Sequence, residues 1–121
     1  MVEHYIVGDM VGVLYSPHFG AGWSTWNEDY PEIAVDKRII KWLINNAEFE
    51  INCNGDYIFE SVASDEAFES YLESLGYKNL YYGGADEFCL SFYPKGTAVR
   101  IDEYDGSESV VTLEDDIYIT L

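Results

Sequence analysis

The residues whose types and spacing could do chemistry in this chain are mostly acidic. Between Trp42 and Tyr77 there are eight Asp and Glu and no Lys or Arg; between Ile101 and Leu121 there are seven, again with no base. In a helix over 65–75, Glu66, Glu69 and Glu73 share the face opposite Phe68 and Leu72. At a rise of about 1.5 Å per residue their carboxylates step roughly 4.5 and 6 Å along the axis, comparable to phosphates along a nucleic-acid strand. The chemistry such a ridge can do is recognition, by docking on a basic groove shaped for nucleic acid. The plainer account is a solvated surface, since net charge by itself speaks to solubility and association. Asp102, Glu103 and Asp105 form a second acidic candidate, in DEYDGSE (102–108). That stretch has the composition of a calcium loop without the Asp-x-Asp-x-Asp-Gly spacing, so a hairpin turn is expected there.

The loop HFGAGWSTWN (18–27) is the other candidate. Its Gly20-x-Gly22 could cradle a phosphate only ahead of a helix and beside compatible charge, whereas aromatic and then acidic residues follow. Ser24 and His18 lack a nucleophile elbow, so no catalytic residue is assigned. Trp23 and Trp26 either cover one end of a sheet or anchor a partner, because exposed aromatic residues make interface hot spots. Trp42 is a third candidate anchor, beside the small basic cluster Lys37, Arg38 and Lys41. Two isolated His and two distant Cys make no zinc spacing. No metal and no organic cofactor is expected. Cys89, in an apolar strand pattern, is expected in the core and Cys53 in a loop, both reduced.

These side chains have to be positioned by one domain, since 121 residues support a single core. Apolar residues at 48% exclude disorder by lack of hydrophobes. Six Lys and Arg against 23 Asp and Glu give a net charge of −17. That balance argues against binding nucleic acid through its phosphates and against an anionic membrane surface. The first residues lack the pattern of a secretory signal, and no apolar run is long enough to span a membrane.

The pattern predicts an α+β fold: an antiparallel sheet of about five or six strands with two helices packed on it. Strands are expected at 2–7, 11–15, 86–93, 98–104 and 108–113, with a tail strand at 117–121 and a hairpin in 49–60 around Asn54-Gly55. Asp36 caps a helix over 36–46 whose stripe is Ile40, Leu43, Ile44 and Ala47, with Trp42 on the polar side. Ser64 is the expected cap of the helix over 65–75, and Gly76 its end. Pro94-Lys95-Gly96 and Asp105-Gly106 are the expected turns of consecutive hairpins.

GAGWSTWN (20–27), AVDKRIIK (34–41), YYGG (81–84) and GTAVRIDEYDGSES (96–109) together resemble a group of short acidic proteins encoded by tailed bacteriophages and prophages. The group carries no assigned chemistry, so no functional residue transfers. The resemblance implies a phage product acting in the host bacterial cytoplasm. Small acidic phage proteins in that setting are often inhibitors of host defence, of the anti-CRISPR or anti-restriction type. The expected function is therefore non-enzymatic inhibition of a basic host protein, a nuclease or an RNA-guided complex, by a surface that mimics nucleic acid. The partner-binding residues would be Glu66, Glu69, Glu73, Trp23, Trp26, Trp42, Asp102, Glu103 and Asp105. The alternative is an assembly or host-takeover accessory that binds through the Trp-rich loop.

Overall fold

The computed structural model describes residues 2–113 and 119–121. The fold is α+β. A five-stranded antiparallel sheet has the order β1-β2-β5-β4-β3, from Ile6–Val7, Met10–Tyr15, Phe88–Pro94, Tyr57–Phe59 and Phe49–Ile51. A second sheet, β7-β6-β8, is built from Ser107–Leu113, Ala98–Tyr104 and Ile119–Thr120. Two helices, α1 (Lys37–Asn46) and α2 (Glu66–Ser74), pack on the first sheet.

Strand alternation explains the layering. Leu14, Phe88 and Leu90 point to the helix side, where they meet Ile39, Ile40 and Leu43 of α1 and Phe68 and Leu72 of α2. Val11 and Val13 point the other way and pack with Val99 of β6, Ala34, Val35 and Leu121. β2 is thus buried on both faces, and its sequence MVGVLY reads as a continuous apolar run for that reason.

The antiparallel sheet with two helices on it is as expected, and three of the expected strands form a second sheet beside it. β5 and β6 do not form a hairpin across Pro94-Lys95-Gly96; β5 inserts between β2 and β4, and β6 leads the second sheet. β2 pairs with Cys89–Pro94 of β5 and β4 with Phe88–Leu90, so the neighbours of β5 come from distant chain rather than from the strand that follows it. The Asp105-Gly106 turn is as expected, with Asp105 at φ 51° and Gly106 at φ 86° closing the β6–β7 ribbon. The hairpin at 49–60 also forms, but with a longer loop whose Asn52 side chain accepts from the Asn54 and Asp56 amides.

Both helices lie within a residue of expectation. Asp36 caps α1, its carboxylate accepting from the Arg38 amide at 2.9 Å. For α2 the cap is Asp65, not Ser64: its carboxylate accepts from the Ala67 amide at 2.8 Å and the Phe68 amide at 3.4 Å. Cys89 is buried and Cys53 exposed, both as free thiols. No helix among the described residues is long and apolar enough to cross a membrane.

Candidate partner-binding groove

The segment 16–27 has little regular structure, so its backbone groups need partners from elsewhere. Glu108 supplies them. This side chain is only 2% exposed. Its Oε1 accepts from the Ser16 amide at 2.8 Å. Its Oε2 accepts from the Trp23 amide at 2.9 Å, the Thr25 amide at 3.0 Å and the Thr25 hydroxyl. All four neighbours are donors, which an ionised carboxylate, an acceptor only, satisfies together. The Glu108 amide in turn donates to the Ser16 carbonyl at 2.8 Å.

The turn beside Glu108 completes the clamp. The Gly20 amide donates to the Asp105 carbonyl at 2.6 Å, and the Ser107 hydroxyl to the Pro17 carbonyl at 2.8 Å. A Cβ on Gly106 would overlap the Ala21 amide, so the close approach requires glycine. A Cβ on Gly84 would likewise overlap the Gly22 carbonyl. GAGWSTWN, YYGG and EYDGSES, far apart in sequence, therefore meet in one place.

Inside the clamp the two tryptophans of the loop part company. Trp23 is fully buried, edge-on to Phe88 at 4.8 Å between ring centres, and its indole N–H donates to the Ile33 carbonyl at 3.2 Å. Its expected role as a partner anchor is corrected: it is core. Trp26 is 38% exposed and tilted against Tyr81, itself 43% exposed, with ring centres 5.3 Å apart. Asn27 ties this pair down. Its side-chain amide donates to the Trp23 and Tyr81 carbonyls at 2.9 and 3.0 Å, and its carbonyl accepts from the Tyr81 amide at 2.7 Å.

Trp26 and Tyr81 line a groove of about 680 Å³ whose wall also carries Glu28, Asp29, Lys78 and Glu103. Glu28, Asp29 and Glu103 are exposed. A neighbouring hollow is lined by Glu73, Lys78 and Asn79, so the α2 ridge and the groove border one segment of chain. Glu66 and Glu73 are exposed and Glu69 is half-buried, because Glu69 sits beside the apolar stripe of α2 rather than opposite it. Burial, and then the negative charges of Glu69 and Glu73, push the Tyr82 hydroxyl up.

The expected cluster Asp102, Glu103 and Asp105 is split. Register places Glu103 on the ribbon face of Val99 and Ile101, whereas Asp102 shares the opposite face with Arg100 and pairs with it. Asp105 is exposed in the turn, where its backbone holds Gly20. Trp42 is also corrected as an open anchor. It is half-buried between the helices, 5.2 Å from Phe68 and 6.2 Å from Tyr71 between ring centres. A helical wheel shows which side Trp42 occupies but not that a second helix runs along it. Glu114, Asp115 and Asp116 lie outside the described residues.

The basic cluster is largely engaged within the fold. Arg38 makes two hydrogen bonds to the fully buried Asp36, at 3.1 and 2.8 Å, and Tyr77 donates to the same carboxylate at 2.6 Å. Burial opposes ionisation of Asp36, but the bonds from Arg38 and Tyr77 outweigh it and hold its carboxyl below the usual range. Lys37 lies 3.6 Å from Glu3. Among the described residues there is no group of three or more His, Cys, Asp or Glu placed to hold a metal ion.

The chain matches no protein-family model, no curated protein and no solved structure.

Proposed function

We propose that this chain is a non-enzymatic acidic inhibitor, made by a phage and acting in the host cytoplasm. It binds a basic host protein of the nuclease or RNA-guided type where that protein would hold nucleic acid. The observation that carries this reading is the exposed acidic border running from Glu73, through the hollow at Lys78 and Asn79, to Glu28, Asp29 and Glu103. It frames a fixed aromatic pair. Charge of this kind raises the rate of encounter with a basic surface, and apolar anchors supply discrimination. The resemblance to phage-encoded proteins supports the setting. A second reading, an assembly or takeover accessory that binds through the Trp-rich loop, is favoured by the exposure of Trp26.

The test is capture of a host partner from lysate, followed by its association rate at rising salt. The inhibitor reading expects the rate to fall steeply as salt screens exposed charge, and Glu66→Gln, Glu69→Gln and Glu73→Gln together to reduce both rate and salt slope. A rate independent of salt, with loss of binding only in Trp26→Ala, would favour the accessory reading. A partner that binds as well when its nucleic acid is already seated would sink the mimicry.

A further inference from the structure

We infer that the groove beside Trp26 is a guanidinium site, which takes an arginine side chain of the partner between the aromatic pair and the carboxylates of Glu28, Asp29 and Glu103. The inference rests on the proposed function and names the chemistry that this surface recognises.

The lining decides the sign of the ligand. Three carboxylates face one ammonium, Lys78, in the groove. An anion would meet an excess of negative charge, and a neutral apolar ligand would strand it. The occupant is therefore a cation.

The aromatic wall decides which cation. Guanidinium is planar and weakly hydrated; it stacks on an indole face and pairs with carboxylates in a fork. An ammonium is a compact, strongly hydrated point charge that gains less from a ring and cannot make the fork. The Trp26 ring rests on Gly22, where a Cβ would overlap it, and its neighbours Thr25 and Asn27 are pinned by Glu108 and Tyr81. The ring is thus held before any ligand arrives, which lowers the cost of binding.

The source of the arginine is another protein. A second copy would bring a charge of −17 against −17, and its Arg38 is held by its own Asp36.

The test is calorimetric titration of the full chain with blocked hexa-arginine and, separately, hexa-lysine, at low and moderate salt. The expected result is tighter binding of hexa-arginine by about fivefold, the scale of a partly desolvated cation–π contact. That preference should vanish in Trp26→Ala and in the Glu28→Gln, Asp29→Asn double variant. The double variant changes two exposed side chains, so it reports even where Trp26→Ala perturbs the loop. Glu66→Gln, Glu69→Gln and Glu73→Gln together should weaken both peptides alike and leave their ratio unchanged. Equal affinity for the two peptides in the unmodified chain, or a preference that survives the double variant, overturns the guanidinium site and leaves the proposed function standing. No binding of either peptide at low salt overturns both.

Discussion

Glu103 and Glu108 face each other across the β6–β7 ribbon, in register and on the same side, yet they do opposite things. Glu108 is buried and holds three backbone amides and a hydroxyl of the loop 16–25. Glu103 is exposed on the wall of the groove, with one oxygen accepting from the Gly106 amide at 2.7 Å. Two carboxylates directly opposite on a ribbon repel. The pairing is stable because one of them is saturated by donors and the other is solvated. An acidic residue in this chain can therefore be a piece of architecture or a piece of surface, and composition does not distinguish them.

The largest break in that contrast should come from Glu108→Ala. Two buried amides, Ser16 and Trp23, and the part-buried Thr25 amide would lose their acceptor, costing about 3 kcal/mol or more, since each unsatisfied buried group costs about 1–3 kcal/mol. The corresponding drop in melting temperature is about 10 °C for a chain of this size. Glu103→Ala should move the midpoint of urea unfolding far less.

Gly106→Ala is the next largest expected effect. It forces a side chain into φ 86° and against the Ala21 amide, and should cost about 2 kcal/mol in urea unfolding. Gly8, at φ 60° with open space around it, lacks the second penalty, so Gly8→Ala should cost about half as much.

Asp36 extends the comparison to pH. Its folded carboxyl titrates below the unfolded one, so its contribution is present above the ordinary carboxylate range and is lost as pH falls through the folded value. Stability of the unmodified chain minus that of Asp36→Asn should therefore shrink on acidification below about pH 4, where unfolded carboxyls protonate. Measuring the difference removes the effect of the many surface acids, which the two chains share. A difference that stays flat or grows on acidification would mean that the Arg38 and Tyr77 bonds do not favour the ionised form.

The smallest expected effect is on stability in the Glu28→Gln, Asp29→Asn variant, within about 0.5 kcal/mol of the unmodified chain, as for surface changes without buried partners. Its effect belongs to binding.

What the sequence showed and what it hid follow the same division. The helices were legible because Asp36, Phe68, Leu72 and Gly76 are local signals with a fixed period. The β6–β7 turn was legible because Asp105-Gly106 demands a particular backbone. The second sheet was not, because it depends on β5 taking both its neighbours from distant chain, and no local pattern records that. Glu66 and Glu73 of α2 and Trp26 were legible as candidate surface, whereas Glu69 lies half-buried beside the apolar stripe. Trp23 was misplaced and Glu108 missed for one reason: an aromatic loop and an acidic run give no sign of which member turns inward. A period-two signal was present for Glu108, which shares its strand face with Val110 of the second core. Asn27 and Tyr81 gave no comparable sign, since their bonds join segments 54 residues apart.

Amide hydrogen exchange at Ser16, Trp23 and Thr25, in the unmodified chain and in Glu103→Gln and Glu108→Gln, tests the division most directly. Slow exchange is expected at all three amides in the unmodified chain and in Glu103→Gln. In Glu108→Gln, exchange should be faster at Trp23 and Thr25 by about two orders of magnitude, the equivalent of about 3 kcal/mol of lost local protection. Equal exchange in the three proteins, or acceleration by Glu103→Gln as large as by Glu108→Gln, would contradict it.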